Sequence, residues 1–194
     1  WKAGGNKGTF NVDDVGYASA AAAGMNGGDI TPTGCSVGTK QGFSIVKYSG
    51  NGTNNQTLSH GLGRVPAFCI IKNLSEDNYW IAKHANSGTG DVVYPNADDG
   101  EGPATGSQHG VVDELNNSTT VNLKTNATNY LNCNASGDDY IMYTWANIPG
   151  LQRFGVYTGN NSITGRFVYL GFRPSLVIIK RADSADSWMV MNSK

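Results

Sequence analysis

Residues 42–84 read GFSIVKYSGNGTNNQTLSHGLGRVPAFCIIKNLSEDNYWIAKH, and residues 153–192 read RFGVYTGNNSITGRFVYLGFRPSLVIIKRADSADSWMVMN. The two stretches match at a constant spacing, because the second member of each of four residue pairs lies 108 positions after the first. A fixed spacing is the signature of a repeated structural unit. The sequence therefore predicts an internal repeat. The pairs are Gly63 with Gly171, Pro66 with Pro174, Lys72 with Lys180, and Trp80 with Trp188.

Each copy has the pattern of β-strands joined by tight turns. Residues 43–48 alternate and are rich in strand formers, and the Ser-Gly-Asn-Gly turn at 49–52 favours positive φ. Pro66 and Pro174 precede the apolar runs AFCIIKN and SLVIIKR, and a proline at the first strand position costs no ladder hydrogen bond. Because both faces of these runs are apolar, we expect strands buried on both faces. The predicted fold class is all-β, an antiparallel β-sandwich in which both copies share one core.

The rest of the chain supplies further elements of this predicted fold. Residues 91–94, 119–124 and 139–145 have the composition of strands, and residues 97–108 are Gly- and Asp-rich, as in a surface loop. Between Ser19 and Gln41 the chain is rich in Ala, Gly and Thr, and no amphipathic helix is evident.

These patterns predict three regions. Residues 1–18 form the edge of an upstream β module, residues 19–41 form a linker or extended arm, and residues 42–194 form the β-sandwich domain. The chain opens on Trp1 and stops inside the strand-like run at 188–191, so we interpret both ends as cuts in a longer polypeptide.

Composition excludes several classes of partner. Only 15% of the 194 residues are charged, and the formal net charge is −1, so no long-range field attracts nucleic acid or an anionic membrane. The apolar runs are far shorter than the roughly 18 residues that a membrane span requires, and we predict no membrane insertion. Cys35, Cys69 and Cys133 have neither disulfide-scaffold nor metal-ligand spacing, and we expect Cys69 to be a small core residue.

No sequence motif predicts catalysis or a cofactor. His60, His84 and His109 lie too far apart for a helical metal motif, and we expect His60 to fill a structural position. Acidic residues occur in pairs, but loop acids of this kind are typical of solvated turns, and the calcium pattern of an EF-hand is absent. We therefore predict no enzyme activity, no catalytic residue, no cofactor and no metal.

Aromatic residues have two expected roles. Trp80, Trp145 and Trp188 recur at corresponding positions, which favours a role in the core. Exposed aromatic rings beside Asn and Asp are typical of sugar-binding faces, where rings contact C–H groups and polar side chains bind hydroxyls. A ligand-binding face is therefore predicted from five residues. They are Tyr79, Tyr94, Asp98, Asp99 and Tyr130.

The segments GFSIVKYSGNG, SHGLGRVPAFCIIKN, FGVYTGNN and GFRPSLVIIKR, with a tryptophan after each long strand, resemble a repeated β domain. That domain occurs in tail-fibre and other virion structural proteins of tailed phages, marine ones especially. The resemblance covers residues 42–194. It implies a jelly-roll or concanavalin-like β-sandwich, a virion and extracellular location, contact with the host surface, and a homotrimer associated with other virion proteins.

The expected function is adhesion to a host-surface glycan by a tail fibre or similar appendage. Three alternatives stay open. The chain could be a purely structural filament or capsid-decoration protein, or a bacterial extracellular adhesin. The least favoured alternative is a polysaccharide depolymerase, because no strong catalytic acid pair is present.

Overall fold

A computed structural model describes residues 2–103, 111–124 and 133–193 of the chain. The described residues form β-strands, turns and loops, so the predicted all-β class is confirmed. Among them, no helix is long and apolar enough to cross a bilayer. The strands are β1 Phe10–Val12, β2 Val15–Tyr17, β3 Gly34–Gly38, β4 Phe43–Ser49, β5 Gln56–Ser59, β6 Phe68–Asn73, β7 Ile81–His84, β8 Asp91–Val92, β9 Gly102–Pro103, β10 Val111–Val112, β11 Thr120–Lys124, β12 Asp139–Trp145, β13 Leu176–Ile179 and β14 Met189–Asn192.

A seven-stranded sheet of order β2-β1-β3-β4-β12-β6-β7 dominates the fold. It is mixed, because β1 runs parallel to β3 while the other neighbouring strands are antiparallel. A three-stranded sheet of order β10-β11-β5 supplies Leu58, Val121 and Leu123 to the same hydrophobic cluster as the large sheet. Two sheets that bury their apolar faces against each other form the arrangement expected of a β-sandwich.

The core lies on one face of the large sheet. Alternate residues of β12, among them Tyr140 and Met142, are fully buried, whereas Ile141 and Tyr143 on the opposite face are half-buried. Strand β6 follows the same rule, so the prediction that this run is buried on both faces is wrong. Its second face carries Phe68, Ile70 and Lys72, which are only partly buried in the described structure.

The predicted division at residue 42 is also wrong in structural terms. Strands β1 to β3 extend the large sheet, and β3 pairs directly with β4. Met25 and Ile30 belong to the hydrophobic core, and Ile30 bridges Leu58 of the three-stranded sheet. The segment 19–41 is therefore part of the sandwich rather than a linker, because its few apolar residues are the ones that close the core.

The second copy lies outside this core. Strands β13 and β14 form a separate two-stranded sheet, and every residue of the core cluster lies at or before Ala146. One contact with the large sheet is the ring of Phe154, which stacks on Phe68 with centroids 5.5 Å apart. The expectation that both copies fold around one shared interior is therefore wrong for this structure. The internal repeat itself stays a prediction.

Candidate functional site

Two of the three tyrosines predicted to contact a ligand, Tyr79 and Tyr94, meet at the β7 edge of the large sheet. Tyr79 lies just before β7 and Tyr94 just after β8, and Ala82 and Val93 join these segments through reciprocal backbone hydrogen bonds of 2.8 and 3.0 Å. The ring centroids of Tyr79 and Tyr94 lie 5.2 Å apart with a tilt of 50°. Tyr79 is 44% exposed, so its ring is available to a ligand.

Two tryptophans donate hydrogen bonds to the segment that carries Tyr94. The amide of Trp80 donates to Oδ1 of Asn96 at 3.0 Å, and Nε1 of Trp188 donates to the carbonyl of Tyr94 at 3.1 Å. Both tryptophans are half-buried, whereas Trp145 is buried. The predicted core role is therefore right for Trp145. Trp80 and Trp188 instead contact the segment between β8 and β9 from the two predicted copies.

The predicted acidic residues lie on the same segment. Asp98 and Asp99 are both exposed. The carbonyl of Asp98 accepts hydrogen bonds from the amide of Asp186 at 2.7 Å and from Nζ of Lys180 at 3.1 Å. The amide of Glu101 donates to the carbonyl of Ala182 at 2.7 Å. These backbone contacts hold the acidic segment against the β13–β14 turn and leave the carboxylates free to face solvent.

Burial is the main influence on the pKa of the Tyr94 phenol. Burial, followed by the negative charge of Asp99 and the neighbouring Tyr79, raises the pKa of Tyr94 to about 12. A phenol with this pKa keeps its hydrogen at physiological pH and can donate it to an acceptor. Tyr79, Tyr94, Asp98, Asp99 and Asn96 define what we call the tyrosine face, a surface with aromatic area, a hydroxyl donor and carboxylate acceptors.

The tyrosine face has no metal-binding geometry. Among the residues that the structure describes, no three His, Cys, Asp or Glu side chains converge to hold an ion. His60 is fully buried, its Nδ1 accepts from the amide of Leu62, and its Nε2 lies 3.3 Å from the carbonyl of Asn117. This arrangement confirms the structural position predicted for His60. Cys69 is likewise buried in the core, as expected.

A comparison with protein-family models gives one match. A family described as a domain of unknown function, DUF7483, matches residues 6–194. The chain belongs to the DUF7483 family. No curated protein matches this DUF7483 chain, and no solved structure matches it. The matched range includes β1 to β3 as well as the β13–β14 hairpin, so each of these segments is part of the family domain.

Two predicted residues lie outside the described part of this DUF7483 chain. They are Tyr130, assigned to the ligand-binding face, and His109. Sequence reasoning also missed Asn96 and the contact of Trp188 with Tyr94. No sequence signal predicts this contact, because it joins residues 94 positions apart.

Two cavities of the described structure lie away from the tyrosine face. One, of about 420 Å³, lies over β3 and β4 and includes Ser36, Ile45 and Lys47 among its lining residues. A second, of about 330 Å³, is lined in part by Arg153 and Tyr169. Neither of these two cavities is lined by the predicted ligand-binding residues. The tyrosine face presents exposed side chains, those of Tyr79, Asp98 and Asp99. Open surfaces suit extended polymers better than small enclosed ligands.

Proposed function

We propose that this DUF7483 chain is a structural domain of a phage tail fibre or a similar virion appendage, and that it adheres to a host-surface glycan through the tyrosine face. The observation that carries the adhesive part is the exposed Tyr79 ring beside Tyr94, with Asp98 and Asp99 on the same segment. The virion location and the trimer are inferred from the sequence resemblance.

The chemistry of the face favours a neutral, hydroxyl-rich sugar. An exposed tyrosine ring packs against the C–H face of a pyranose, and carboxylates accept hydrogen bonds from its hydroxyls. Asp98 and Asp99 add negative charge, so an acidic sugar would be repelled at short range.

Weak sites of this kind become effective when several act together. A homotrimer would present three tyrosine faces to one cell surface, and linked sites bind with an effective concentration that multiplies their affinities. A single domain is therefore expected to bind sugar weakly, whereas the assembled fibre would bind strongly.

The test is glycan binding by the purified chain, first on an array and then by titration with the best oligosaccharide. Replacing Tyr79 with alanine should weaken binding by at least about fivefold, since loss of one aromatic–sugar contact costs about 1 kcal/mol. Tyr17→Ala is the matched control, because Tyr17 is 37% exposed and lies in β2 at the opposite edge of the large sheet.

Several results would contradict the proposal. Equal loss of binding in the two variants would place the sugar elsewhere. A chain that binds no glycan as an assembled oligomer would favour the purely structural filament or decoration protein. Release of new reducing ends from a bacterial polysaccharide would instead favour a depolymerase.

A further inference from the structure

We propose that the β13–β14 hairpin is one half of a binding site for an extended segment with the side-chain pattern of β12, which adds as a strand to the free edge of β13. The proposal concerns an interaction surface and does not depend on glycan binding. It follows from a comparison of this hairpin with β6 and β7.

The two hairpins pair in the same register. In the first, Phe68 pairs with His84 and Ile71 with Ile81. In the second, Leu176 pairs with Asn192 and Ile179 with Met189. Each of these residues in the second hairpin lies 108 positions after its counterpart in the first. The two hairpins are therefore equivalent, position by position.

Local contacts repeat as well. Nζ of Lys72 donates to the carbonyl of the next residue at 2.6 Å, and Nζ of Lys180 does the same at 2.8 Å. The glycines that precede the two long strands, Gly63 and Gly171, both have positive φ, at 65° and 82°. The equivalence therefore extends from the turn before each hairpin to the end of its first strand.

The two hairpins differ in what covers them. In the first unit, β12 pairs along the edge of β6 that faces away from β7. In the second unit, no described strand pairs with that edge of β13. The side chains of the second hairpin are correspondingly more exposed. Ile81 is 1% exposed, whereas its counterpart Met189 is 56% exposed. Ala82 is 0% exposed, whereas its counterpart Val190 is 65% exposed. The second hairpin therefore has the apolar composition of a buried sheet, but its apolar side chains are exposed among the described residues.

The backbone direction identifies the groups at the free edge. The amide of Ser193 donates to the carbonyl of Ser175, so this pair is hydrogen-bonded. Hydrogen-bonded and non-hydrogen-bonded pairs alternate in an antiparallel ladder. Leu176 and Ile178 therefore direct their N–H and C=O groups away from β14, to the free edge. The first hairpin has the same backbone pattern. The amide of Ala85 donates to the carbonyl of Ala67, and the amide of Leu74 donates to the carbonyl of Asp139 in β12.

The partner is defined by the residues that β6 accepts. In the first unit Trp145 pairs with Phe68, and Tyr143 pairs with Ile70. The added strand should therefore be antiparallel, with a tryptophan opposite Leu176 and an aromatic residue opposite Ile178. Addition of a strand to an exposed edge is an established mode of peptide recognition.

The experiment uses the 194-residue chain and a lysine-tagged peptide of the sequence DDYIMYTWA, residues 138–146. Saturable binding is expected, with slowed hydrogen exchange at the amides of Leu176 and Ile178. Ile178→Pro removes the free-edge N–H and should weaken binding by at least about tenfold. Val190→Pro is the matched control, because Val190 pairs with Ile178 and directs its N–H to the opposite edge. It should leave the affinity within about twofold.

A second arm does not require any variant of the chain to fold. In the register of β12 on β6, the N–H of Tyr143 is directed to the neighbouring strand and that of Met142 is directed away from it. A peptide N-methylated at Tyr143 should therefore lose binding, whereas one N-methylated at Met142 should retain it. The proposal is overturned by an absence of saturable binding, by equal effects of the two proline variants, or by equal effects of the two methylations. Concentration-dependent self-association that Ile178→Pro abolishes, and that the peptide does not compete with, would overturn it in favour of a second copy as the occupant.

Discussion

At the scale of single residues, a buried polar side chain can be limited to one protonation state by its hydrogen bonds and by its burial. His60 is the clearest example. Burial lowers its pKa from 6.5 to about 4, because the charged imidazolium is poorly solvated in the core. With Nδ1 accepting from Leu62, the proton of the neutral ring is on Nε2, directed to the carbonyl of Asn117.

This depressed pKa predicts acid destabilisation. Between pH 6.5 and 4 the unfolded chain binds a proton at His60 that the folded chain excludes, so stability is fully present above pH 6.5 and falls as the pH decreases. The loss approaches about 3 kcal/mol near pH 4, since each pKa unit corresponds to 1.36 kcal/mol. Urea unfolding at a series of pH values measures it.

His60→Asn serves as the comparison, because its side-chain oxygen can still accept from the amide of Leu62 and does not titrate. The variant should show a shallower fall in the free energy of unfolding over the same pH range. Parallel pH profiles for the two proteins would show that His60 does not control the acid response.

At the scale of elements, β7 is joined to the following loop by a buried lysine. Lys83 is 1% exposed, and its Nζ donates to the carbonyls of Gly88 and Asp91. Burial lowers its pKa, and the carboxylates of Asp91 and Glu101 partly offset this effect. The equivalent position in the second hairpin is Met191, which has no ammonium group and lies in a strand without a covering layer.

Lys83→Met therefore tests the link between β7 and β8. The change keeps most of the apolar stem but removes the donor to the carbonyls of Gly88 and Asp91. We therefore expect a loss of about 1–3 kcal/mol in the free energy of unfolding. Lys47→Met, at an exposed position in β4, should change it by less than about 0.5 kcal/mol. Equal urea midpoints for the two variants would contradict the role assigned to Lys83.

At the scale of the whole molecule, the chain combines a closed sandwich with an open C-terminal unit. Its accessible surface is 10301 Å², compared with about 8,900 Å² for a compact monomer of 20.5 kDa. Ile163 and Phe167 are 105% and 86% exposed, whereas the core cluster contains no residue beyond Ala146. The stability of the sandwich should therefore depend little on the C-terminal unit.

A chain that ends at Arg153 tests this division. It keeps Gln152, whose Nε2 donates to the carbonyls of Gly42 and Ala146. It loses the ring of Phe154 on Phe68 and the hydrogen bonds between the C-terminal unit and the segment from Tyr94 to Glu101, none of which lies in the core cluster. We expect a cooperative unfolding transition with a midpoint within about 5 °C of the full chain, since roughly 1 kcal/mol is at stake. Binding of a hydrophobic dye should fall. Loss of the cooperative transition would show that the C-terminal unit completes the core.

Much of this organisation was accessible from the sequence, because strand periodicity is local. Residues 139–145 were predicted as a strand and form β12 with the same bounds, and the predicted strand at 43–48 is β4 with one further residue. The ligand-binding role of the five residues predicted from the sequence stays a prediction. Four of them are described, and two of these, Tyr79 and Tyr94, are in ring contact.

Strand pairing was decided only by the tertiary structure. Strand β12 lies between β4 and β6, although it follows both by many residues, and residues 19–41 close a core that their composition did not predict. The sequence by itself determined strands such as β4 and β12, since strand periodicity depends on side chains close together in the chain. The equivalence of the two hairpins is a prediction from the spacing of their residues. Tertiary structure decided which hairpin is covered, because burial is settled by strands that meet across distant parts of the polypeptide.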